Sequence, residues 1–96
     1  MPQGTGINES LNFEPSTFTV VVGFNNTIMF VDNDSTAPHN VYFTSIPSGA
    51  SDPNTGAPAE MVKGQTYTVT LTTPGTYTYE CQFHSIWQKG TITVSA

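Results

Sequence analysis

Threonine alternates with apolar side chains along much of this chain, and that alternation sets the expected elements. Phe18, Val20 and Val22 interleave with Thr17, Thr19 and Val21, predicting a strand that ends at Gly23 and the turn Asn25-Asn26. Thr27 to Val31 predicts a second strand, with Ile28 and Phe30 on one face. Asp32 to Ser35 reads as a turn or loop, and His39 to Thr44 as a third strand that puts Val41 and Phe43 on the face of His39. Residues 46–65 hold three prolines and three glycines and predict a long connection, with a short irregular strand or one helical turn near 59–62. Thr66 to Thr72 then sets Tyr67, Val69 and Leu71 against threonines, and Pro74-Gly75 is a turn. Thr76 to Cys81 places Tyr77, Tyr79 and Cys81 on one face, and Gly90 to Val94 is the last strand. Gly4, Gly6, Asn8 and Ser10 offer no pattern, so 1–11 reads as a flexible lead-in and 12–96 as one domain. Short strands at this spacing, without a helical stretch, predict an all-β antiparallel sandwich or barrel.

Composition narrows the partners. Seven carboxylates against Lys63 and Lys89 leave a net charge of −5. Phosphate backbones and anionic lipid repel such a chain, which argues against nucleic-acid and membrane-surface roles. No apolar run approaches the roughly 18 residues of a membrane-spanning helix. Met1-Pro2-Gln3-Gly4 lacks a basic start and an apolar stretch, so no targeting segment is expected within these residues. The single cysteine excludes an internal disulfide.

The chemistry lies in the scarcest residues. The chain has one cysteine and two histidines, and all three fall into one pattern: His39 on a strand, then Cys81-Gln82-Phe83-His84 where another strand ends. One thiolate and two imidazoles are the planar donors of a type 1 copper site, whose fourth, axial ligand is weak or absent. A lone cysteine on a β-sandwich is otherwise a buried small hydrophobe, but its coincidence with both histidines favours a metal. Zinc is the chief competitor, since Cys-His-His plus water is a catalytic zinc set; no His-Glu-x-x-His is present, and no carboxylate is placed as a general base. A nucleophilic Cys81–His39 pair with Asn40 as orienter is a third option.

The segments Phe13-Glu14-Pro15-Ser16-Thr17, Gly23 to Asn33, Ala37-Pro38-His39-Asn40-Val41 and Pro74 to Cys81 resemble those of plastocyanin-type cupredoxins. The resemblance runs from Phe13 to Val94 and implies an eight-stranded Greek-key β-sandwich of the cupredoxin type. It implies one copper ion bound through Nδ1 of His39 and His84 and the sulfur of Cys81. It also implies that Asn40 ties the His39 segment to the Cys81 loop and hydrogen-bonds near the sulfur. Such contacts orient ligands and tune a metal.

The chain departs from that pattern at two positions. Glu80 stands where many plant-type members have an exposed tyrosine, which removes the expectation of a second electron-transfer route. Gln88 stands where the family's axial methionine is expected, at a spacing from His84 that matches neither common methionine loop. Met1, Met29 and Met61 lie in other segments. The sequence reading therefore leans to Gln88 turned toward solvent and a water-bearing axial position, with Gln88 ligation through its amide oxygen as the other option. The leading expectation is a soluble electron carrier, not an enzyme, cycling Cu(II)/Cu(I). Ile86 and Trp87 form an apolar rim beside exposed His84 where a redox partner protein docks. The rival is an open copper site that binds and oxidises or reduces a small molecule such as nitric oxide. Proteins similar to this one usually work outside the cytoplasm, which sets the same expectation here.

Overall fold

The computed structural model describes residues 1–8, 11–13 and 15–96. Ser10 of the lead-in and Glu14 of the Phe13–Thr17 motif lie outside the described residues. Six strands are present among those described: β1 (Thr17–Val21), β2 (Thr27–Val31), β3 (Tyr42–Ser45), β4 (Thr66–Thr70), β5 (Gly75–Glu80) and β6 (Lys89–Ser95). They form a four-stranded sheet in the order β1-β6-β5-β3 and a two-stranded sheet, β2-β4. No helix among the described residues is long and apolar enough to cross a membrane.

The alternation read from the sequence is the alternation of burial. In β2, Ile28 and Phe30 are buried between exposed neighbours, and in β6 Gly90, Ile92 and Val94 are buried between exposed or half-buried ones. β-Branched and aromatic side chains suit such a pleated, half-buried surface. The two sheets close over one core of Phe13, Val20, Ile28, Phe30, Val41, Phe43, Leu71, Tyr77, Tyr79, Cys81, Ile92 and Val94. Its centre is aromatic: Tyr79 lies edge-on to Phe13 and Phe30, with ring centroids 4.9 and 5.2 Å away. Cys81 therefore emerges from the aromatic core.

The topology differs from the expected one in two respects. β1 and β6 run parallel, with Thr17 opposite Thr91 and Val21 opposite Ser95, so the main sheet is mixed and not purely antiparallel. The third strand begins at Tyr42 and not at His39. His39 instead pairs with Met61 alone, through His39 N–H to Met61 O at 3.0 Å and Met61 N–H to His39 O at 2.6 Å. Six strands plus this one-residue pairing stand where the resemblance implies eight. Asn40 and Val41, between this pairing and β3, are both buried and belong to no strand.

Side chains complete the pairing where ladders stop. Asn54 takes Phe43 N–H at 2.8 Å and donates to Phe43 O at 3.0 Å, fastening the long connection to the outer edge of β3. At the other end the N-terminal segment is attached to the sandwich. The Met1 ammonium donates to Val31 O at 3.1 Å, and Asn33 N–H to Met1 O at 3.0 Å. Thr5 is fully buried.

Candidate metal centre

β5 delivers Cys81 to the end of the sandwich, and the chain then turns sharply. His84 N–H donates to Cys81 O at 3.1 Å, and Gln88 N–H donates to His84 O at 2.9 Å. Cys81 N–H closes the loop onto Gln88 O at 3.0 Å. The Met61 pairing brings His39 to the same end. The potential ligand atoms of His39, Cys81 and His84 all lie within 4.8 Å of one another. Cys81 Sγ is 3.7 Å from Nδ1 of His39 and 3.5 Å from Nδ1 of His84. His39 and Cys81 are fully buried, whereas His84 is half-buried, its ring 4.9 Å from that of His39 and 5.0 Å from that of Trp87. All three candidate donors are thus brought together, and each Nδ1 faces the sulfur.

Gln88 is placed differently from the solvent-facing orientation expected. Its side chain is fully buried, and its Oε1 is 2.7 Å from His39 Nδ1. The cause is the loop's hydrogen bonding. A backbone bond from residue 88 to residue 84 is one helical turn, and one turn returns a side chain to the same side. Ile86, halfway round, points outward and is 85% exposed. Trp87 is half-buried and its indole N–H donates to Thr5 O at 3.2 Å, so only part of its ring borders solvent. Asn40 links the two ligand segments as implied: its Nδ2 donates to Gln82 Oε1 at 2.8 Å, and its Oδ1 accepts Gln82 N–H at 2.7 Å. These bonds fall one residue beyond Cys81.

Sequence reasoning missed Asp34. Its carboxylate, 1% exposed, accepts the His39 Nε2–H at 2.6 Å. Asp34 sits in a turn five residues before His39, a context that carries no ligand signal by itself. Burial would raise the Asp34 carboxyl, but hydrogen bonds from the Thr36 side chain, His39 and the backbone of Thr36 and Gly4 outweigh it and hold it well below the usual carboxylate range. Burial would likewise lower His39, yet the Cys81 and Asp34 hydrogen bonds and the nearby negative charges raise it to about 9. His84 moves the other way, lowered by burial and by the charge of His39.

The donor set is suited to a cation. Cys81 Sγ, Gln88 Oε1 and the Nδ1 atoms of His39 and His84 converge as electron-pair donors, while the His39 Nε2 proton is committed to Asp34. Without a metal, a proton retained on His39 is the smallest cation that reconciles them. Soft thiolate and borderline imidazole donors suit copper in both oxidation states, so the residues fit that ion.

Residues 2–95 match the family described as copper binding proteins, plastocyanin/azurin family. Plastocyanin of Prochlorothrix hollandica is 39% identical over 84 residues, which span 85% of this chain and 62% of that protein's length. Plastocyanin A/B of Petroselinum crispum is 37% identical over 89 residues, covering 88% of this chain and 89% of the relative. Among solved structures, the novel purple cupredoxin from Nitrosopumilus maritimus has a TM-score of 0.75 and 25% identity, over 98% of this chain and 94% of that one. The chain belongs to the plastocyanin/azurin family of copper-binding proteins, and its fold and His-Cys-His group are those of a plastocyanin-like type 1 copper electron carrier.

Proposed function

We propose that His39, Cys81 and His84 hold the copper ion through Nδ1, Sγ and Nδ1, and that Gln88 Oε1 supplies the axial donor. The observation that carries this reading is that both Nδ1 atoms face the sulfur of a fully buried cysteine, while the buried Gln88 Oε1 lies 2.7 Å from the Nδ1 of His39. Copper supplies a one-electron Cu(II)/Cu(I) couple. The chain's residues supply a frame that changes little between the two states. Cys81 is fixed by the aromatic core, His39 by Met61 and Asp34, and His84 by the hydrogen-bonded turn to Gln88. A ligand set built on rigid elements keeps its geometry better than one on loops alone. A buried Gln88 does not favour the water-bearing, small-molecule-reacting alternative, because its amide oxygen takes the place that water would occupy.

Members of the family work with redox partner proteins. We assign partner docking to the surface where His84 is least covered, with Ile86 at its centre and Trp87 at its edge. Phe83, next to His84 in the chain and 48% exposed, extends the apolar area. The Oryza sativa relative is named as chloroplastic, and we place this chain likewise outside the cytoplasm, in a compartment where copper is supplied. Loading with Cu(II) tests the metal reading: one equivalent is expected to produce an intense thiolate-to-copper absorption that Cys81→Ser abolishes. Uptake of copper without that absorption would refute it.

A further inference from the structure

Behind His39 lies a carboxylate cage that the family resemblance does not supply. Asp34 Oδ2 accepts His39 Nε2–H at 2.6 Å and Gly6 N–H at 2.8 Å. Its Oδ1 accepts Gly4 N–H and Thr36 N–H, each at 2.9 Å, and the Thr36 hydroxyl at 2.6 Å. Every partner is a donor, so the cage suits an ionised carboxylate, which accepts only. The N-terminal segment has to come close to build it. A Cβ on Gly6 would lie 2.4 Å from Ala37 Cβ and 3.0 Å from Asp34 Oδ2, so glycine is required at this approach. Such a cage is more than a turn needs, and its open side is filled by the ring of a metal-ligand candidate.

We propose that Asp34 is a positioning residue for the metal centre: it takes the Nε2 proton of His39, holds Nδ1 aimed at Cys81, and biases the site toward Cu(II) with its buried charge. The inference rests on His39 being a ligand. A histidine's ligating nitrogen is set by the hydrogen bond its other nitrogen makes. The charge argument is equally direct. A Cys81 thiolate and an Asp34 carboxylate carry two negative charges, which balance Cu(II) and leave an uncompensated negative charge beside Cu(I). An uncompensated buried charge is costly, so the oxidised state is favoured and the reduction potential is lowered.

Asp34→Asn keeps an acceptor for His39 but removes the charge. Its potential is expected to rise, by about 59 mV for each tenfold by which Cu(II) affinity falls more than Cu(I) affinity, with the thiolate absorption nearly unmoved. Asp34→Ala removes the acceptor too and should in addition shift that absorption and weaken copper binding, roughly 10–100-fold. A carboxamide NH2 must face a donor in this cage, and alanine leaves the cage's donors without an acceptor, so both variants are less stable than the parent. Nuclear magnetic resonance of the wild-type Cu(I) protein gives a test free of that problem. It should show a slowly exchanging Nε2 proton on His39 and an ionised Asp34. A bare Nε2, a neutral Asp34, or an Asp34→Asn potential equal to that of wild type would overturn the inference while the metal centre stands. Absence of the thiolate absorption in wild type would refute the metal centre and the inference with it.

Discussion

Oε1 of Gln88 lies 2.7 Å from Nδ1 of His39, with both side chains fully buried. In the proposed centre this amide oxygen takes the axial role that methionine sulfur has in the family. Oxygen is a harder donor than a thioether and prefers Cu(II) to Cu(I). Gln88 and Asp34 meet opposite nitrogens of the His39 ring, and in the proposed centre both would lower the potential.

Replacing Gln88 separates ligation from mere proximity. Gln88→Met should raise the reduction potential, and Gln88→Ala should change both the potential and the visible spectrum markedly. In wild type, azide should leave the spectrum unchanged if Gln88 fills the axial place. An alanine variant with the parent's spectrum, together with a wild-type response to azide, would mean that Gln88 is not a ligand.

Ile86 tests the docking face. Ile86→Asp places a charge on an exposed position at the tip of the ligand loop without touching the ligands. Electron exchange with the physiological partner should slow by about tenfold, while the copper absorption stays close to that of wild type, since loss of an anchoring residue at an interface centre costs more than about 1 kcal/mol. An unchanged exchange rate in stopped-flow measurements would place docking elsewhere.

Gly90 lies close against Tyr79. A Cβ there would fall 2.3–2.6 Å from the ring and hydroxyl of Tyr79. Gly90→Ala is expected to lower stability by about 1–3 kcal/mol, the usual cost of overpacking a core, read from denaturant midpoints. Because Tyr79 carries the core directly beneath Cys81, copper release should quicken as well.

Tyr79 also sets an alkaline limit. Burial raises its hydroxyl to about 12, against 10.0 for an unburied tyrosine. The folded protein then keeps a proton that the unfolded chain loses. Stability is unaffected below pH 10 and falls as pH rises from about 10 to about 12. Tyr79→Phe, which also removes a buried hydroxyl without a partner, should flatten that fall in urea midpoints measured across the range. An equally steep fall in the variant would assign it to other groups, of which Tyr67, also raised by burial, is the nearest candidate.

Much of the fold was legible because the code for it is local. Alternation at period two marks Ile28 and Phe30, or Tyr77 and Tyr79, as inward-facing whatever lies opposite them. The ligand set was legible because Cys81, His39 and His84 exhaust their residue types. Features that depend on distant partners were not. The parallel pairing of β1 with β6 joins Thr17 to Thr91, and nothing in either segment encodes direction. Asp34 reads as a turn residue until Gly4 and Gly6 are brought to it from the N-terminus. Gln88 misled because a loop of unfamiliar length was compared with other loops. Its own backbone bond to His84 fixes the orientation.

The central claim is that one copper ion is held by the Cys81 sulfur between His39 and His84. Titrating the metal-free protein with Cu(II) while recording the visible spectrum tests it most directly. The account predicts an intense thiolate-to-copper band that saturates at one equivalent, disappears in Cys81→Ser, and bleaches reversibly on reduction. Saturation without such a band, or a band that persists when Cys81 is replaced, would contradict it.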